Sequence, residues 1–270
     1  MSYKTFNISI NNHIALVSFN RPEKANSLNK TSWTEMQEVF EAMHTNPDVR
    51  VIILHGEGKH FCGGIDLAMF MSGDLISKST CEGRKREHLH YAISKLQANI
   101  SAIEKCRKPV LAAVHRACVG AGVDIISACD MRYCTENAFF SIKEIDLGMV
   151  ADVGTLQRLP KILNAGIVAE LAYTGRKVDG EEALKIGLVN QLFADKDEML
   201  AAVTKIAEQI ASKSPLSIRG TKEMLLYTRD HSVDEALHFQ ASWNAAMLLS
   251  NDLTEAMQAN MQKRATVFEG

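Results

Sequence analysis

Three carboxylates stand close together in one apolar part of the chain: Asp124 in VGAGVDIISACD, Glu144 in FFSIKEIDLG and Asp152 in GMVADVGTLQRLP. Ionised acids set among Val, Ile, Phe and Met are costly to bury, so a chain keeps them there for pairing or for chemistry. Just before the first acid lies a small-residue turn, Gly120-Ala121-Gly122, whose backbone N–H groups are placed to face a ligand. A second such turn, Gly63-Gly64, sits in GEGKHFCGGIDLAMF (56–70) and offers the N–H of Ile65. At the start of a helix, unpaired N–H groups and the helix dipole favour negative charge, which makes Ala121 the donor of choice in its turn. Two donors on separate loops make an oxyanion hole, and acids beside it are what proton transfer next to a carbonyl requires.

Each residue also has a plainer reading. Asp66, followed by Leu67, opens apolar text and reads from its own segment as a helix cap after a glycine turn. Asp152 before Val-Gly-Thr reads equally well as the cap of the helix that follows, and Asp124 as a first-turn helix acid. Glu144 has Lys143 and Arg132 as pairing partners on a surface strand. Taken singly, none of the three acids is persuasive; together with both donor turns they point to an active site. The partial G-x-G at 120–122 fails the dinucleotide fingerprint because Ile125 occupies its third glycine position, so NAD is set aside. His60 reads as structural, and His88 and His90 lie on a polar helix without metal partners.

The elements that must position these residues follow from pattern. Residues 3–10 and 13–19 alternate around Asn11-Asn12 as a hairpin, and 31–44 reads as a helix with Trp33, Met36, Val39, Phe40 and Met43 on one face. Buried strands are expected at 49–56 and 110–114, helices at 82–106 and 122–128, and short strands at 131–134 and 139–142. Beyond residue 153 the text turns helical, at 154–172, 181–186, 196–212, 216–228, 233–249 and 252–264. The last of these opens on D-L-T-E, a capping-box pattern, and carries Leu253, Met257 and Met261 on one stripe. That tail has more apolar stripe than one helix hides, so an oligomer is expected.

Bulk properties narrow the class. The chain has 270 residues, 46% hydrophobic and 23% charged, an ordinary globular balance. A formal net charge of −2 argues against nucleic acid as the main partner. Cysteines 62, 81, 106, 118, 129 and 134 form no C-x-x-C pair and no metal-ligand spacing, so free thiols in a reducing compartment are expected and no metal. MSYKTFNISI carries no apolar leader, TVFEG no peroxisomal tripeptide, and no run is long enough to span a membrane; the expected location is the cytoplasm.

NRPEKANSLN, FCGGIDL, the Gly-Ala-Gly turn, YTGRKVDGEEALKIGLVN and the tail SNDLTEAMQANMQKRATVF, in that order, resemble the enoyl-CoA hydratase/isomerase (crotonase) superfamily. The block from VGAGVDIISACD to TLQRLP is most similar to its Δ3,5-Δ2,4-dienoyl-CoA isomerase branch. The resemblance implies an α/β fold, a spiral of ββα turns over residues 1–195, with a helical region at 196–270 that mediates trimerisation, trimers often pairing into hexamers. It implies an acyl-CoA thioester substrate, no cofactor apart from the CoA carried by that substrate, and a reaction within fatty-acid β-oxidation. The family's oxyanion donors fall on Ile65 and Ala121, and its base at C2 and acid at C6 on Asp152 and Glu144, with Asp124 tuning or orienting them. Gly63, Gly64, Asp66 and Leu67 fall on the substrate loop, and Lys24 and Ala25 along the CoA moiety; Lys263 and Arg264 either face CoA phosphates or form a solvated helix face. Two departures are notable: Ala121 replaces the usual glycine and Gly63 a common alanine. The alternatives are an enoyl-CoA hydratase, which holds water between acids at positions 124 and 144 and for which the shorter Asp124 is unsuited, and a non-catalytic acyl-CoA-binding protein.

Overall fold

Among the described residues, nine strands divide between two sheets that the chain visits in turn. The computed structural model describes residues 3–71 and 77–269. Strands β1 (Phe6–Asn11), β2 (Ile14–Phe19), β3 (Val51–Gly56), β4 (Val110–Val114), β6 (Met131–Thr135) and β9 (Gln191–Phe193) form a six-stranded sheet in the order β1-β2-β3-β4-β6-β9, parallel except for the β1–β2 hairpin. Strands β5 (Ala117–Val119), β7 (Phe139–Ser141) and β8 (Val178–Asp179) form a smaller sheet in the order β5-β7-β8. A bridge from Cys62 to Cys118 and another from Leu28 to Ile65 extend that second layer backwards along the chain. Each turn of chain therefore runs through the large sheet, then the small one, then a helix. This is the expected ββα spiral, and the β5, β8 and β9 strands it needs are too short to show a period in sequence.

The unbroken apolar text of β3 has a direct cause. Ile52 and Leu54 enter the main core, whereas Val51 and Ile53 point to a second core under α8 (Lys196–Ala211), where Met199, Val203, Ala207 and Ala211 meet them. Alternation on a strand covered on both faces leaves no polar position. On the other face, α1 (Lys30–Thr45) buries all five of its predicted contact residues, its first turn capped by Asn29, whose side chain accepts from Ser32 N–H. The long helix α3 (Glu82–Lys105) packs along α1 and buries Asn99, Ile100 and Ile103 at its C-terminal end.

Three boundaries differ from expectation. The hairpin turn falls on Asn12-His13, both with positive φ, one residue later than the Asn-Asn pair suggests. The helix expected over 154–172 breaks into α5 (Thr155–Arg158), a 3-10 turn at Leu159–Lys161 and α6 (Ala165–Thr174): Pro160 lacks the N–H a continuing helix needs, and Asn164 caps the restart. The last helix, α11 (Asn251–Gln262), is capped by Ser250, so Asp252 lies inside its first turn rather than opening a capping box. The remaining helices are α2 (Ala68–Met71), α4 (Ala121–Ser127), α7 (Gly180–Lys185), α9 (Pro215–Tyr227) and α10 (Val233–Met247). No helix among the described residues is long and apolar enough to cross a membrane.

Candidate active site

The two donor turns meet where the strands of both sheets end. Residues 62–66 run as an extended segment whose N–H groups are spent in order: Cys62 on Ala117 O, Gly63 on Ala25 O, Gly64 on Cys62 Sγ, and Asp66 on Leu28 O. The N–H of Ile65 alone in this run has no acceptor among the described residues. Facing it, Val119 N–H donates to Cys62 O and Gly120 N–H to Ser141 O, while Ala121 is the first residue of α4 and has no intrahelical acceptor. The two loops touch: a Cβ added to Gly64 would lie 2.9 Å from Val119 O and 3.7 Å from Ala121 N, and Gly64 has φ +92°. Glycine is required there. The left-handed turn beside α4 falls on Gly120 (φ 54°), not on Ala121, so the alanine at the donor position carries no strain.

Glu144 follows β7 and opens a 3-10 turn, Glu144–Leu147. Its Oε1 lies 3.2 Å from where a Cβ on Gly120 would sit, and its Oε2 is buried without a partner. The surface-strand reading fails, because Lys143 pairs with Asp146, and Arg132 is buried and donates to Leu188 O and Cys129 O. Burial, then the neighbouring charges of Asp124 and Asp152, push the Glu144 carboxyl up to about 7.

Asp152 stands on the loop before α5, exposed on one side, and burial of its other side raises its carboxyl above the usual range. It does not cap α5: the N-cap is Gly154, and the first helical N–H, Thr155, donates to Asp124 Oδ1 at 2.6 Å. The helix-cap reading thus belongs to Asp124, an acid 31 residues earlier in the chain. Asp124 is fully buried, its Oδ2 has no partner, and burial with a smaller push from Asp152 raises it to about 6.

A cavity of about 550 Å³ gathers Gly63, Gly64, Ile65 and Leu67 from the first loop, Gly120 and Ala121 from the second, and both Glu144 and Asp152. Its apolar wall is Leu89, Ile93 and Leu96 of α3 with Trp33, Leu147, Met149 and Val153. The i, i+4, i+7 spacing on α3 was readable as one helix face, but nothing in the sequence says which surface it covers. Asp124 is not on the cavity wall; it lies behind it, holding the Asp152 loop. Gln97, missed in sequence, holds the same loop from α3 by donating its Nε2 to Asp152 O at 2.7 Å. Arg158 completes the anchor through Ser101 and Glu104.

Other expected contacts go elsewhere. The Asp66 carboxylate pairs with Arg21 at 3.0 Å and accepts from Ala68 N–H, so it caps α2 and does not line the cavity. Lys24 is exposed, and Ala25 supports the donor loop through its carbonyl; neither is on the cavity wall. Arg264 is committed to Glu255 through two bonds, and Lys263 ends α11 in a left-handed cap. Among the described residues no group of His, Cys, Asp or Glu is placed to hold a metal ion.

The family model for enoyl-CoA hydratase/isomerase matches residues 9–270. The chain belongs to this family. It is 49% identical to the peroxisomal Δ3,5-Δ2,4-dienoyl-CoA isomerase of Arabidopsis thaliana over 99% of this chain and 98% of that protein. It is 48% identical to the mitochondrial Δ3,5-Δ2,4-dienoyl-CoA isomerase of Mus musculus over 96% of this chain and 79% of that one. The crystal structure of enoyl-CoA hydratase from Bacillus anthracis superposes with a TM-score of 0.88 at 28% identity, covering 99% of this chain and 100% of that one. The spiral fold of the family member is therefore the one described above. The compartments in the relatives' names are organelles, which departs from the cytoplasm expected for this chain.

Proposed function

We propose that this chain converts a 3,5-dienoyl-CoA into the conjugated 2,4-dienoyl-CoA. The observation that carries the reading is one apolar cavity holding two carboxylates outside any ion pair among the described residues, Glu144 with its orphaned Oε2 and Asp152, beside the two free N–H donors of Ile65 and Ala121. The thioester oxygen sits between the donors, which stabilise the enolate more than the ground-state carbonyl. Asp152 takes a proton from C2, the charge spreads along the diene, and Glu144 delivers a proton to C6. One proton leaves and one arrives, so CoA, as part of the substrate, is the sole carrier group the steps use. The environments of the two acids differ: Glu144, more deeply buried and raised to about 7, keeps a protonated fraction at neutral pH, whereas Asp152, raised by burial on one side, is open to solvent on the other. Asp124 acts through the loop it caps and is a positioning residue.

The hydratase reading needs water held between acids 124 and 144. Asp124 is spent on Thr155 behind the wall, which favours isomerisation. Exposed Leu225, Leu237, Met247, Leu249, Met257 and Met261 on or beside α9–α11 support a homotrimer or hexamer built through residues 196–270. All six cysteines are free, which fits a reducing compartment, the cytoplasm or an organelle matrix. The test is to offer purified protein 3,5-dienoyl-CoA and 2-enoyl-CoA and to follow absorbance at the conjugated dienoyl thioester band. Rapid conversion of the diene with slow or no hydration is expected; efficient hydration without diene conversion contradicts the proposal.

A further inference from the structure

The opposite end of the six-stranded sheet carries an unbalanced group of cations. Arg50 immediately precedes β3, and Arg107 and Lys108 precede β4. The parallel register sets Ile52 against Val110, so two residues back Arg50 stands beside Lys108. Helix α9 crosses at this point: Lys222 donates to Lys108 O at 3.0 Å and pairs with Asp130, and Arg219 lies one turn earlier on the helix. Besides Lys222, which Asp130 pairs, four cationic side chains from three parts of the chain thus stand close enough to repel one another.

Their donors are largely unused. The Arg50 guanidinium is fixed by Ala211 O and Phe268 O, yet its Nε is buried without an acceptor. Arg219 Nε is also buried and unpartnered. Among the described residues Arg107, Lys108 and Arg219 form no ion pair and donate no side-chain hydrogen bond, although Lys108 is only 5% exposed. Asp252 is the acid acting on Arg219, and its carboxylate already accepts from Ser214 Oγ at 2.5 Å. Burial together with mutual repulsion lowers both Lys108 and Arg219. Buried cations are normally paired, and leaving forked donors empty forfeits several charge-assisted hydrogen bonds.

We propose that Arg50, Arg107, Lys108 and Arg219 form a binding site for a phosphate group, at the end of the strands remote from the Ile65 and Ala121 donors. Guanidinium forks and an ammonium converging from three elements suit a tetrahedral oxyanion, which takes donors from several directions at once, better than a flat carboxylate. The site does not depend on the proposed reaction.

The probe is inorganic phosphate, added to the intact protein at about 20 mM against chloride and acetate of matched ionic strength, with thermal unfolding as the readout. Phosphate is expected to raise Tm by about 3 °C over chloride, the shift for a site of about millimolar Kd. Lys108→Met and Arg219→Met are expected to unfold no lower than wild type in chloride, to lose the phosphate response and to keep the KM for acyl-CoA. A response that survives in both variants places the phosphate elsewhere and overturns the proposal. Equal stabilisation by acetate overturns the ligand class. No response to phosphate in the wild type, the result if a second copy supplies a carboxylate here, overturns it as well.

Discussion

The two ends of the large sheet hold opposite kinds of unpaired charge. At the carboxyl ends of the strands, Glu144 and Asp124 are buried acids with an orphaned oxygen each, both pushed up first by burial, then Glu144 by Asp124 and Asp152, and Asp124 by Asp152. At the amino ends, Lys108 and Arg219 are cations that form no ion pair among the described residues, pushed down by burial and by Arg107 and Arg50, with Asp252 alone opposing the shift at Arg219. In both places the fold tolerates a local electrostatic cost that packing alone does not explain. The difference lies in the surroundings. Glu144 borders an apolar cavity with free backbone donors, and Asp124 lies behind its wall, where a proton transferred in low dielectric is useful, whereas Lys108 and Arg219 stand near Arg50, whose guanidinium is held by carbonyls that cannot neutralise it.

The strongest way to break the contrast is to neutralise the acids one at a time. Glu144→Gln and Asp152→Asn are each expected to lower turnover by about 10²–10⁴-fold while product binding, read by calorimetry, persists. If Asp152→Asn turns over normally, the exposed acid is a bystander. The same Glu144→Gln variant tests the stored cost. A carboxyl raised from 4.5 to about 7 weakens the fold as pH climbs through that range, because the unfolded chain ionises first. Removing it should stabilise the protein by up to about 3 kcal/mol at pH 8 and about 1 kcal/mol at pH 5.5, seen in denaturant unfolding at fixed protein concentration. Equal effects at both pH values would show that Glu144 is not held in its raised state.

Asp124 sharpens the distinction between chemistry and support. Asp124→Ala loses the acceptor for Thr155 N–H and is expected to reduce turnover about 10–100-fold, whereas Asp124→Asn keeps an oxygen there and should retain most activity. An asparagine variant as impaired as Asp152→Asn would instead make Asp124 a proton carrier. Smallest is Gln97→Leu, which frees the Asp152 carbonyl and should lower kcat about threefold with little change in KM.

How much of this was legible in sequence depended on what fixed each residue. The apolar faces of α1 and the two-sided burial of β3 follow from local period, and their residues were identified before any contact was known. The donors Ile65 and Ala121 were legible because small-residue turns advertise free N–H groups. The partner of Asp124 was not legible, since Thr155 is 31 residues away and Asp152, nearer to it, looked like the natural cap. The cap role of Asp66 is legible in its own segment, and only the resemblance places it on the substrate loop; its partner Arg21, 45 residues back, is named by nothing nearby. The cation group escaped notice for the same reason: Arg and Lys at strand starts read as solvated ends until α9 is laid across them.

The division of labour between the two cavity acids is tested most directly by hydrogen exchange at C2 of the 3,5-dienoyl-CoA in deuterium oxide, followed by NMR in the two amide variants. Glu144→Gln keeps the base and loses the acid, so C2 should exchange with solvent through the open side of Asp152 while isomerisation stops. Asp152→Asn should lose both exchange and isomerisation. Exchange retained in Asp152→Asn and lost in Glu144→Gln would contradict the account by giving Glu144 the proton at C2.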